Sequence, residues 1–160
     1  MSQFQFLASD RELPDLQNPY IELLSVNEAT ARNIEIPANL LQNLLIDRDR
    51  KIILSCAEEE HLDELEIKSS MYYSDEYARR YSDKKYFAEI NFRYTQSRAR
   101  DLIRYINDHL QTSGEVELWS IWLGDQQTPV IRSKQLQSLD ASDLIFLNGF
   151  SNAECLLINR

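Results

Sequence analysis

Between Tyr86 and Leu123 the spacing of apolar residues changes twice, and no other feature constrains the fold of this chain as much. Tyr86, Ala88, Ile90, Phe92 and Tyr94 alternate with Phe87, Glu89, Asn91 and Arg93, which is the two-residue period of a half-buried strand. The period then lengthens. Ala99, Leu102, Ile103, Ile106 and Leu110 recur at three- and four-residue steps and lay one apolar stripe along a helix. Thr95 or Ser97 serves as its N-terminal cap, and Gly114 stands just past its end. EVELWSIWLG follows, with Val116, Leu118 and Trp122 on one side and Trp119, Ile121 and Leu123 on the other. A strand apolar on both sides belongs at the centre of a sheet covered on both faces.

The rest of the chain adds shorter elements. Strands are predicted near Lys51–Ala57 and Leu65–Met71, joined by an acidic loop, and a last strand at Glu154–Ile158. Pro37 opens a short helix with Leu40, Leu41, Leu44 and Leu45 as its buried side. Helical turns are expected at Asn27–Arg32, after a Ser74 cap in SDEYARRYS, and at Ser142–Leu147. No linker or repeat interrupts the 160 residues. The expectation is one α+β domain, 1–160, with a predominantly antiparallel sheet, helices mainly on one face, and a strand–helix–strand unit at about 86–123. Its core should unite Ile90, Phe92, Leu102, Ile106, Leu118 and Trp122.

Residue scarcity excludes several chemistries. The three glycines, Gly114, Gly124 and Gly149, lie far apart, so no glycine-rich loop can bring backbone close to a phosphate. With only His61, His109, Cys56 and Cys155, no Cys/His metal set is spelled out. No catalytic, cofactor or metal residue is assigned, and a non-enzymatic role is expected. The two cysteines fall in apolar strand-like runs and read as buried free thiols. MSQFQFLASDREL has neither the basic nor the apolar region of a leader, and no run reaches the roughly 18 apolar residues of a membrane span. A soluble cytoplasmic protein without membrane contact is expected.

The formal charge of −9 is uneven: residues 1–70 hold 14 acids against 6 bases, while residues 71–110 hold 6 against 8. Such a chain repels nucleic acid and attracts basic partners. Glu58, Glu59, Glu60, Asp63 and Glu64 flank His61 in the densest acidic run. It lacks the spacing and glycine of an EF-hand, and consecutive carboxylates diverge along an extended chain, so it reads as a solvated tip rather than a cation site. These five acids form the candidate surface for a basic protein, by analogy of type with immunity proteins and antitoxins that neutralise nucleases.

An alternative lies in Tyr73, Tyr77 and Tyr81, four apart on one helix face, with Arg79, Arg80 and Arg93, as a pocket clamping a carboxylate or phosphate of a small ligand or substrate. KYFAEINF, at Lys85–Phe92, resembles the octamer of RNA recognition motifs at five positions, but Tyr86 replaces its glycine and Glu89 a stacking aromatic. No RNA contact is assigned. Trp119 and Trp122 project to opposite faces, and both are read as core.

Overall fold

The computed structural model describes residues 3–43, 45–70, 75–124, 128–149 and 152–160. They form two compact units: residues 1–17 with 64–160, and residues 18–63 between them in sequence.

The first unit is built on a six-stranded sheet of β1 (Gln3–Ser9), β4 (Glu66–Lys68), β5 (Tyr86–Asn91), β6 (Glu115–Trp122), β7 (Val130–Gln135) and β8 (Glu154–Asn159). Their order across the sheet is β4-β5-β1-β6-β8-β7. Every pairing is antiparallel except β7 with β8, so the α+β, mainly antiparallel class stands. The doubly apolar β6 is interior, between β1 and β8, because each of its faces needs cover.

Register sorts the two faces. Leu7 pairs with Leu118 and Ala88, and Leu118 with Leu156, which places all four on one side. There α4 (Gln96–Leu110) buries Ala99, Leu102, Ile106 and Leu110 against Ile90, Val116, Leu118 and Ile158. Leu144, Phe146 and Leu147, from a 3₁₀ run at Ala141–Asn148, complete this core. Thr95 caps α4 by accepting from the Arg98 N–H. Gly114 lies four residues beyond the helix end and is not its cap, because Gln111 continues in helical backbone there.

On the other side Phe4, Phe6, Phe87, Trp119 and Ile121 pack with Ala78 of α3 (Asp75–Ala78). Phe6 is central, its ring stacked on Trp119 at 5.9 Å and edge-on to Phe87 at 6.2 Å.

The expected core needs one correction. Ile90, Leu102, Ile106 and Leu118 are mutually buried and Phe92 packs beside them, but Trp122 is only half-buried at the last residue of β6. The strand from Tyr86 also stops at Asn91, and β4 is three residues rather than seven.

The second unit pairs β2 (Ile21–Ser25) with β3 (Lys51–Cys56). Leu24 and Ile53, opposite each other, face Val26 and Ala29 of α1 (Val26–Ala31). Ser25 ends β2 and caps α1 through a reciprocal box with Glu28, satisfying two N–H groups that the first turn leaves open. In α2 (Ala38–Gln42) Leu40 packs on this core, but Leu41 is exposed and Leu45, beyond the helix, is 95% exposed. A five-residue helix has one buried side of a single turn and cannot turn three leucines inward. Leu44, predicted with them, lies outside the described residues.

Candidate functional site

The acidic run forms a 3₁₀ turn, Glu59–Asp63, in the second unit. Asn18 holds it from below, donating from Nδ2 to the His61 carbonyl at 2.7 Å, and the Tyr20 ring stacks on His61 at 4.0 Å. Glu58, Glu59, Glu60 and Asp63 are exposed. Glu64 differs: it belongs to the first unit, half-buried, and its carboxylate accepts from Arg98 at 3.0 Å. His61 Nδ1 is 3.9 Å from Glu58 and Nε2 is 4.0 Å from Glu60. One ligand atom from each of Glu58, Glu60 and His61 lies within 4.8 Å of the others, so these three are the group that could hold a cation, although both carboxylates are exposed and such exposed acidic groups are common without one.

The turn borders an apolar face. In the β2–β3 pair Leu23 lies opposite Leu54, 51% and 55% exposed, and Ile21 lies opposite half-buried Cys56. Cys56 donates its thiol to the Glu58 carbonyl, which ties the end of β3 to the acidic turn. Cys56 is thus not the buried thiol expected, since its side chain points away from the Leu24–Ile53 core. Leu62, on the acidic turn, and Tyr20, stacked on His61, are also exposed. The alternation of IELLS and KIILSC contains this signal: both faces of both strands carry apolar residues, more than one small core can absorb.

The tyrosine–arginine group is arranged differently from a clamp. Tyr73 lies outside the described residues. Tyr77 and Tyr81 pack on the Phe6–Trp119 core, and α3 ends at Ala78, before Tyr81. The Arg79 guanidinium lies 4.9 Å over Phe87 and pairs with Asp75; that of Arg80 lies 5.2 Å over Tyr77. Arg93 follows the far end of β5, six residues past Phe87 and about 20 Å along an extended chain.

A cleft of about 400 Å³ does open on this face of the sheet; of the predicted group Tyr81 lines it, while Tyr77, Arg79, Arg80 and Arg93 do not. Trp119, Cys155, Leu157 and Ile131 form its apolar surface, and Asp10, Asp83, Glu117 and Lys84 its charged one. Lys84, 12% exposed at its side chain, is committed to Asp10 at 2.7 Å and to Glu115. Burial opposes its charge, but the hydrogen bonds it donates to both carboxylates carry its pKa above the ordinary lysine value. Glu117 accepts from the Trp119 indole N–H at 2.8 Å. Burial, then the charges of Glu117 and Glu154, push the Cys155 thiol up to about 12. The sequence hides most of this site, because its members come from three strands, the turn after β1 and the segment 81–84.

His109, in the last turn of α4, is 7% exposed, and its Nε2 lies 2.7 Å from Ser9 Oγ. A serine–imidazole pair can generate a nucleophile, but Ser9 is fully buried here, and its oxygen also accepts from the Arg11 N–H. No helix among the described residues is long and apolar enough to cross a membrane. Comparison with protein-family models, with curated proteins and with solved structures finds no match.

Proposed function

We propose that this protein is a non-enzymatic interaction module that binds a basic protein through the outer face of its second unit. One observation carries the reading: the exposed Leu23–Leu54 pair is continuous, through Ile21, Cys56 and Tyr20, with the acidic turn at Glu58, Glu59, Glu60 and Asp63. An apolar centre beside a charged rim is the anatomy of a protein–protein interface. The second unit carries nine acids against four bases over residues 18–63, so the rim selects a positive partner. Carboxylates there would steer association and make it salt-sensitive, while the leucines supply the desolvated contact. Neutralisation of a basic toxic enzyme by an immunity or antitoxin protein is the type of interaction this resembles.

The test is affinity capture from the source cell at about 0.05 M and about 0.3 M salt, run beside a Glu58→Lys/Glu59→Lys/Glu60→Lys variant and a Leu23→Ser/Leu54→Ser variant. One basic protein should be retained by the parent at low salt and lost by both variants. Equal retention by all three chains rejects the reading.

A further inference from the structure

The cleft of the six-stranded sheet lies wholly in the first unit and is not the surface invoked above. Its floor follows from the ladder. Trp119 pairs with Cys155 and Cys155 with Ile131, while Glu117 pairs with Leu157, so these five side chains share one face across β6, β8 and β7. Toward β5 and β1 that face is filled by Phe87, Phe6 and Ala78 of α3. Toward β7 it is open, and Ile131 is 64% exposed. The cavity is the size of a small-ligand site, which usually spans about 300–1,000 Å³.

Its charge is one-sided. Three carboxylates, Asp10, Asp83 and Glu117, meet one ammonium, and that ammonium is consumed by Asp10 and by Glu115. Among the described residues Glu117 and Asp83 form no ion pair. Glu117 uses one oxygen, Oε2, to hold the indole N–H, and Oε1 remains as an acceptor at the cleft. A carboxylate fixed in orientation beside an aromatic and aliphatic floor recognises a cation that carries its own apolar arm. A phosphate or carboxylate ligand would instead meet two uncompensated like charges.

We propose that this cleft binds a protonated primary amine on a short aliphatic arm, with the ammonium at Glu117 and Asp83 and the methylenes along Leu157 and Ile131. Free diamines and lysine side chains both carry that chemistry, and two probes separate them: 1,5-diaminopentane, and lysine blocked at both backbone ends. Pentanoate, with an arm of similar length and the opposite charge, is the control.

The readout is the Trp119 indole N–H resonance, which reports directly on the Glu117 carboxylate. At least one amine should shift it saturably at millimolar concentration, and pentanoate should not. Glu117→Gln keeps an acceptor for the indole and should weaken binding by about tenfold or more. Asp83→Asn, at an exposed position, should weaken it by at least threefold, and Glu12→Gln, outside the cleft, should leave it unchanged. A better response to blocked lysine identifies a chain-borne side chain as the ligand, and a better response to the diamine a free one. The proposal is overturned if neither amine shifts the resonance, if pentanoate shifts it equally, or if both cleft variants bind as the parent does. Loss of capture by the second-unit variants, by contrast, leaves this titration untouched.

Discussion

Ser9 Oγ, at the end of β1, lies 2.7 Å from Nε2 of His109 in the last turn of α4, and both side chains are buried. The contact fastens sheet to helix through an imidazole that burial holds below its ordinary pKa. The unfolded chain takes up the proton near pH 6.5, and the folded chain only at lower pH. Between those values the unfolded state binds more protons, so stability is complete above about pH 6.5 and declines as pH falls through the folded value. Denaturant midpoints should therefore drop between about pH 7.5 and about pH 5.5, before the carboxylates titrate. His109→Gln should show a distinctly flatter dependence over that window. Parallel profiles for the two proteins would remove His109 as the cause.

Ile106 is fully buried between Leu102, Leu118 and the 3₁₀ run, so Ile106→Ala leaves a cavity in the larger core and should cost about 2–5 kcal/mol. Glu59→Ala and Glu60→Ala, on the exposed acidic turn, should stay within about 0.5 kcal/mol of the parent. Urea unfolding of the three variants measures the contrast. A loss from either glutamate as large as that from Ile106 would mean that the turn holds an ion or a buried network.

The two thiols should separate in reactivity. Cys155 is buried beneath the cleft with its pKa at about 12, which leaves a negligible thiolate fraction near pH 8. Cys56 is half-exposed on the outer face of β3. A chromogenic disulfide reagent should titrate one thiol in the native protein and two in denaturant, and Cys56→Ser should abolish the native reaction. Rapid native reaction of Cys155 would show that the floor of the cleft opens to solvent.

The sequence announces elements whose residues satisfy their period locally. The stripe of α4 and the doubly apolar β6 are of this kind, and both appear where expected. β1 was missed although Phe4 and Phe6 alternate with Gln3 and Gln5, because its second face is completed only by Leu7 and Ala8 at its end. β7 was missed because an edge strand needs little apolar character: VIRSKQ is largely exposed, and Arg132 and Lys134 pair with Glu154 and Asp143. The acidic turn was legible as a solvated run, since consecutive charges show themselves. The apolar face beside it was not, because it depends on the register that sets Leu23 against Leu54. Most of the cleft was invisible for the same reason: Asp10, Asp83, Glu117 and Ile131 are distant in sequence and meet only through strand order.

The reciprocal cap at Ser25 gives the second unit its own test. Ser25 Oγ accepts from the Glu28 N–H at 3.1 Å, and the Glu28 carboxylate accepts from the Ser25 N–H at 2.7 Å. That second bond, with Lys51 nearby, holds the Glu28 carboxyl below its ordinary pKa, so its contribution is present above about pH 4.5 and is lost as pH falls through the lowered folded value. Ser25→Ala removes the hydroxyl, leaves the Glu28 N–H without its acceptor, and should destabilise α1 by about 1 kcal/mol. Because β2 leads directly into this helix, the loss should reach the Leu24–Ile53 pair. Hydrogen exchange provides the measurement: amides of Ala29 and Leu24 should exchange several-fold faster in Ser25→Ala, while those of Leu102 and Leu118, in the first unit, keep their parent rates. Uniform acceleration across both units would show that residues 18–63 do not open as a unit of their own.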